Sequence, residues 1–436
     1  MRNLAQNIHI FVTETLKNAS TVQKFIIRLS IVIVCLVTTT LQGQNITFNH
    51  LTTDDGLSQF SVNSLYIDEN GAIWIGTREG LNRYDGNDIQ TYKLRKDDPN
   101  SLFCNTVLRM TGNRKGKIYL LCTEGVAEFN LATQKFRTLL QGNINSIYYN
   151  DGLFIGKKNE IYRYNEQTGN FNLYYQLANK NLEIFCMHID KGQLWMGTTS
   201  DGVYRLHLDN KELTHPILKG NITSIYQDNE GKLWIGSWEE GLFKVKTNGE
   251  IVNFRYDPNN TYSLSSNFVR SCCEDNLGNI WIGTFNGLNR YDKSTGLFQN
   301  HTATDTQTDG LTNSSIWCIV KDNQGTLWMG TYFGGVNYFN PEYEIYTRYI
   351  YSPIEKNGLS NPVVGRSIED KDGNLWIGTE GGGLNYYNRR TREFKWFRPG
   401  DGANSISHNN IKALYYDADK QLIWIGTHHA LPHGSQ

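Results

Sequence analysis

Residues 71–85 read GAIWIGTREGLNRYD, and residues 278–292 read GNIWIGTFNGLNRYD. The same phrase recurs around Trp195, Trp234, Trp328, Trp376 and Trp424, with weaker copies at Tyr119 (GKIYLLCTEGV) and Phe154 (GLFIGKKNEIY). Taken from these residue numbers, the nine aromatic positions are spaced 45, 35, 41, 39, 47, 47, 48 and 48 residues apart. A period in the forties with one aromatic-glycine signature per unit suits a four-stranded propeller blade. A two-helix repeat has a similar period but needs long Ala/Leu/Glu/Lys runs. These units are instead rich in Gly, Tyr, Trp, Ile and Thr, the residues of strands and turns.

Around Trp74 the order within one unit is legible. SVNSLYID (61–68) reads as a first strand and AIWIGT (72–77) as a second. LNRYD (81–85) reads as a third and IQTYKL (89–94) as a fourth. Asp68-Glu69-Asn70-Gly71 and Arg78-Glu79-Gly80 are the turns, whose Asp, Asn and Gly satisfy local donors and tolerate left-handed backbone. The tryptophan and its aliphatic neighbours should fill the space between blades, and the glycine after Trp-Ile should let backbone approach closely. Ahead of the first unit, NITFNHLT (45–52) reads as a displaced fourth strand that completes the last blade and closes the ring. Seven copies run from Trp74 to Trp328. YEIYTRYIYS (343–352) then precedes GLSNPVV much as the first strand precedes GLSQFSV. The predicted fold is all-β: a seven-bladed β-propeller over 44–341, followed over 342–436 by an incomplete second propeller of two blades. The last copy breaks into HHALPHGSQ, so the chain reads as cut short.

Length and charge agree with this organisation. The 436 residues are too many for one ordinary core but natural for a ring of repeats. A formal net charge of -1, with no basic run or aromatic-basic groove, argues against a nucleic-acid partner. The seven cysteines contain no Cys-x-x-Cys pair and sit mostly in apolar strand-like runs, where a free thiol behaves as a small hydrophobe. Adjacent Cys272 and Cys273 should face opposite sides of a strand. Residues 29–41, LSIVIVCLVTTTL, have the length of a signal-peptide core and follow Lys24 and Arg28. Residues 1–43 are therefore read as a signal peptide or anchor. The expected location is the periplasm, with membrane contact only through 24–41 if that segment stays uncleaved.

The repeated phrase resembles the two-component-regulator propeller repeat. Gly358-Leu359-Ser360-Asn361 with Ile368-Glu369-Asp370 and Leu375-Trp376-Ile377-Gly378-Thr379 carries the resemblance, as do Gly56-Leu57-Ser58, Leu65-Tyr66-Ile67-Asp68 and Trp74. It covers about residues 45–427. Such repeats typify the sensor region of hybrid two-component systems of Bacteroidetes. The resemblance implies two successive seven-bladed propellers outside the inner membrane. In the family these lead to an immunoglobulin-like domain, a membrane helix, a histidine kinase, a receiver and a DNA-binding domain. It also implies sensing of oligosaccharides released from complex glycans, and leaves room for a homodimer in a full-length relative. No kinase histidine box, nucleotide-binding glycine segment or receiver carboxylate cluster is present, so the chain is read as a non-enzymatic sensor fragment.

Within each unit the turn between second and third strands is the most variable part, and propeller ligands meet such loops at one mouth of the ring. Saccharide recognition needs flat apolar faces for pyranose rings and polar groups for hydroxyls. Trp238, Phe285, Tyr332 and Phe333 are the stacking candidates, and Arg78, Glu79, Glu239, Glu240 and Asn286 the polar ones. Arg78, Lys157 and Lys158 would meet an anionic sugar. The competing reading makes each of these a solvated or packing residue. No cofactor or metal is called. Asp370-Lys371-Asp372-Gly373 lacks the remaining ligands of a calcium loop, and His428, His429 and His433 fall in the aberrant tail. Glu239 and Glu240 share one loop and do not form the opposed pair of a glycosidase. The alternative is a stand-alone secreted propeller, acting as a protein-interaction scaffold or a polysaccharide-active enzyme.

Overall fold

The computed structural model describes residues 46–215, 220–303, 310–343, 349, 351, 358–391, 393–402 and 405–428. The apolar run 29–41 and the proposed leader lie outside the described residues, as do His429 and His433. The chain divides into two units, Met1–Glu344 and Ile345–Gln436.

The passage at 71–85 shows how one sheet is built. Val62–Ile67, Ile73–Thr77, Gly80–Tyr84 and Ile89–Tyr92 form an antiparallel meander. Trp74 faces Tyr66 on one side and Arg83 on the other. The Asp68 turn does more than reverse the chain. One carboxylate oxygen accepts from the backbone of Asn70 (2.9 Å) and Ala72 (3.0 Å), and the other from Trp74 Nε1 at 2.8 Å. The aspartate six residues before the tryptophan thus fixes turn and indole together. The same bond joins Asp228 to Trp234, Asp275 to Trp281, Asp322 to Trp328 and Asp370 to Trp376, at 2.7–3.0 Å. Charge-assisted bonds of this kind are worth about 1.5–3 kcal/mol each.

Seven four-stranded sheets of this plan make up the described part of the first unit, an all-β, propeller-like arrangement. Their first strands pack in succession, and Ile316–Lys321 of the seventh sheet packs back on Val62–Ile67 of the first. The tryptophan is the filler between sheets. Trp74 is fully buried, in a cluster with Leu102 of the connecting segment and Ile118 and Phe129 of the second sheet. Gly76 shows why glycine follows Trp-Ile: a Cβ there would stand 2.8 Å from Val107 Cγ1 of that neighbour. The seventh sheet takes its fourth strand from the N-terminus. Asn49–Leu51 pairs with Val336–Phe339, Asn49 opposite Tyr338 and Leu51 opposite Val336. Phe48 also packs edge-on against Phe339 at 5.0 Å. The described cysteines of this unit are free thiols, and Cys272 and Cys273 enter two different core clusters on the two faces of their strand.

In the second unit, Val364–Glu369, Leu375–Thr379, Leu384–Asn388 and Glu393–Phe397 form another four-stranded sheet. Ile411–Asp417 and Leu422–Thr427 form a two-stranded one. Gly378 repeats the close approach, with Ile411 Cγ2 2.6 Å from where its Cβ would be. Trp424, on the last described strand, is 57% exposed.

Candidate functional site

In an antiparallel meander the turn between second and third strands lies at the end where the first strand begins. Every sequence-predicted site residue lies in such a turn or, for Lys157, at the strand end that enters it, so those of the first unit share one face of the sheets. The turns are pinned from below by the residue that ends the second strand. Thr77 Oγ1 donates to Gly80 O (3.0 Å) and accepts from Glu79 N (3.1 Å). Ser237, Thr284 and Thr331 do the same for the turns carrying Trp238–Glu240, Phe285–Asn286 and Tyr332–Phe333. These hydroxyl residues are fully buried, so the exposed side chains above them stand on rigid supports.

A second feature brings more side chains to this face. The first strand of six of the seven sheets has a β-bulge at its second residue. The bulged residues are Asn63, Leu108, Phe185, Thr223, Arg270 and Trp317. A bulge breaks the strict alternation of the strand and re-aims its side chain. Asn63 and Thr223 spend theirs on the next sheet, bonding Val107 O (2.9 Å) and Val269 O (2.5 Å). Arg270 and Trp317 join the turn residues instead.

The result is a continuous band across the fifth, sixth, seventh and first sheets. The Arg270 guanidinium carbon lies 4.5 Å from the Trp317 ring centre, 5.4 Å from that of Trp238 and 5.5 Å from that of Phe285. Phe268 fills the angle between Trp238 and Phe285, 5.5 and 6.1 Å from their centres. Trp317 stacks on Tyr332 at 5.7 Å and 9°. Tyr332 meets Phe333 edge-on at 4.3 Å and carries Arg78 over its ring at 5.4 Å. Trp238, Phe285 and Phe333 remain 39%, 55% and 56% exposed, an aromatic surface open to solvent. Burial pulls the Arg270 guanidinium below the ordinary arginine value, with Tyr332 opposing.

The structure thus brings together Arg78, Trp238, Phe285, Tyr332 and Phe333. Glu79 and Asn286 are exposed on the same turns as Arg78 and Phe285. Glu239 is exposed beside Trp238, whereas Glu240 is tied in an ion pair to Arg255. Lys157 and Lys158 stand apart on the third sheet, where Lys158 N bonds Asn145 Oδ1 at 2.7 Å. Sequence reading missed Arg270, Trp317 and Phe268 because it looked only at the turns. Phe268, Arg270 and Trp317 lie in or beside first strands, and the bulge that re-aims the latter two has no marker in their residue types.

The opposite face also carries charge. A cleft of about 450 Å³ is lined by Glu230, Glu274, Arg290, Asp292 and Lys293 among others. There Lys293 Nζ reaches Glu274 (2.7 Å), Glu230 (2.9 Å) and Asp228 (3.4 Å). Burial disfavours the charge on Lys293, yet the carboxylates hold it above the ordinary lysine value. Glu230 is pulled down to about 2 by Lys232 and then Lys293. Lys293 and its three carboxylates satisfy one another and clamp the fifth sheet to the sixth.

A family model described as "Two component regulator propeller" matches residues 56–79, 216–239, 263–286, 310–333, 358–381 and 405–429. These are two component regulator propeller repeats. Each matched segment spans the first and second strands of its sheet and ends two residues beyond the second. The copies at Tyr119, Phe154 and Trp195 lie outside the matched segments of this propeller repeat. A curated histidine kinase of Formosa agariphila is 41% identical over 61 residues, which is 14% of this chain and 4% of that protein. Two solved structures from Bacteroides thetaiotaomicron share the propeller-repeat fold. One, described as the extracellular domain of a hybrid two component system, matches with a TM-score of 0.65 and 23% identity over 87% of this chain and 52% of that one. The other, described as the extracellular domain of a one component system, has a TM-score of 0.57 and 23% identity, covering 87% and 51%. The chain therefore spans about half of each solved relative and a small part of the curated one. Among the described residues, no helix is long and apolar enough to cross a membrane.

Proposed function

We propose that the chain is the ligand-sensing part of an exported two-component sensor and that its ligand is an oligosaccharide. In this reading residues 44–341 are a complete seven-bladed propeller and 342–436 the first two blades of another, held in the periplasm. The protein binds and does not turn its ligand over. Binding would shift the population of propeller arrangements that a kinase elsewhere in the full sensor responds to. Glycan-utilisation genes are the expected output.

The observation that carries the reading is the band Trp238–Arg270–Trp317–Tyr332–Arg78. It sets the exposed rings of Trp238, Phe285 and Phe333 beside the Arg270 and Arg78 guanidinium donors, on turns that buried hydroxyls hold in place. Pyranose rings stack on such faces through their C–H edges while hydroxyls take the polar groups. Its place in a chain of two-component propeller repeats supplies the sensing role. Among the nearby carboxylates Glu240 is spent on Arg255 and Glu239 shares its turn, which supports binding without hydrolysis. The test is calorimetric titration of the full chain with a panel of neutral and acidic oligosaccharides. At least one should bind, with product analysis finding it unchanged. A panel that never binds, or a saccharide that is cleaved, would overturn the proposal.

A further inference from the structure

We infer that the Arg270 box is an acid-group subsite, so that the saccharide this site takes carries a carboxylate. The inference rests on the saccharide reading above and narrows it. Arg270 is held among three rings, Trp317, Trp238 and Phe285. Its protein partners leave it under-used. Nη1 donates to Ser315 Oγ at 2.9 Å. Nε is buried with no hydrogen-bond partner. No described residue accepts from Nη2, and no described carboxylate forms an ion pair with the group. Arg83, Arg137, Arg255 and Arg389 are each paired with an Asp or Glu, whereas Arg270, like Arg290, keeps a buried Nε without a partner, and of these two only Arg270 stands among aromatic rings of the band.

A guanidinium taken partly out of water without an anion is costly, and a bound carboxylate would offset that cost. The ring walls are suited to the rest of the ligand. Two aromatic faces beside a forked donor let one sugar stack while its acid group takes Nη2. Arg78, over Tyr332 at the other end of the Trp317–Tyr332 stack, is placed for a second acid group one or more residues along. The exposed Glu79 and Glu239 lie at the rim and pair with neither guanidinium in the structure. Lysine cannot replace the fork: it keeps the charge but loses the planar pair of donors and the stacking.

The test compares each acidic oligosaccharide with its own carboxyl-reduced form. The probes are galacturonate and glucuronate-containing oligosaccharides and their reduced, neutral counterparts. They are titrated by calorimetry into the full chain and into Arg270→Lys and Arg270→Gln, with near-ultraviolet circular dichroism confirming the fold. An acidic form should bind at least tenfold more tightly than its reduced form. Arg270→Lys should lose at least tenfold for the acidic form alone, and Arg270→Gln should bring the two forms level. Equal binding of acidic and reduced forms by wild type overturns the inference and leaves the saccharide site standing. So does unchanged acidic binding in a folded Arg270→Gln. Binding of neutral saccharides only has the same meaning. No binding by any saccharide overturns both proposals. The acidic-versus-reduced comparison needs no variant, so it decides even if both substitutions unfold the protein.

Discussion

In the sixth sheet Trp281 lies almost fully buried, with its indole nitrogen 2.7 Å from Asp275. The second sheet sets Tyr119 in the tryptophan's place and Asn113 in the aspartate's. Asn113 Oδ1 still takes the turn, accepting from Lys115 N (2.8 Å) and Lys117 N (3.0 Å). The Tyr119 hydroxyl, however, is buried with no partner, and the ring stacks instead on Tyr149 at 5.6 Å and 9°. The bulge residue differs as well: Arg270 in the sixth sheet joins the aromatic band, whereas Leu108 in the second packs with Leu121 and Ile147. The two sheets share one backbone plan. The aspartate–tryptophan clip serves the frame, and the bulge and the pinned turn are free to carry chemistry.

The frame side of this comparison is the most costly to break. Trp281→Ala should lower unfolding free energy by about 3–5 kcal/mol, the usual cost of truncating a buried tryptophan. Trp424→Ala, at the same place in the repeat but 57% exposed, should cost within about 0.5 kcal/mol. Denaturant unfolding of both variants checks the pair, and equal losses would mean that the tryptophan acts through something other than its burial between sheets.

Smaller effects sharpen the contrast between clipped and unclipped sheets. Asp275→Ala strands the Trp281 indole, Asn279 N (2.8 Å) and Asn279 Nδ2 (2.9 Å). It should cost about 2–3 kcal/mol. Tyr119→Phe removes a buried hydroxyl that bonds nothing, so it should be neutral or stabilising by up to about 1 kcal/mol. Thermal unfolding that found Tyr119→Phe as damaging as Asp275→Ala would show that the hydroxyl has a partner in solution.

Much of the frame was legible because the same residues recur at fixed offsets. The four strands around Trp74, the close approach at Gly76 and the N-terminal strand on the seventh sheet all follow from the repeat. The aspartate's bond to the indole was not read. Asp, Asn and Gly are the expected residues of any tight turn, so turn chemistry alone explained their presence. The six-residue offset from Asp to Trp held the missing half. The band was legible only at its edges. Trp238, Phe285, Tyr332 and Phe333 stand out as aromatics in exposed turns. Arg270 and Trp317 sit inside strands, where alternation assigns a side chain to one face or the other. A bulge breaks that alternation, and nothing in Val269-Arg270-Ser271 announces one. Lys157 and Lys158 drew attention by charge alone, and the third sheet sets them apart from the rings.

The most direct test of the account sets the bulge residue of the seventh sheet against that of the second. An oligosaccharide that binds the full chain is titrated by calorimetry into wild type, Trp317→Ala and Leu108→Ala, each checked for its fold. The account predicts at least a tenfold loss of affinity for Trp317→Ala and wild-type affinity for Leu108→Ala. Unchanged binding by a folded Trp317→Ala, or equal losses in both variants, would contradict it.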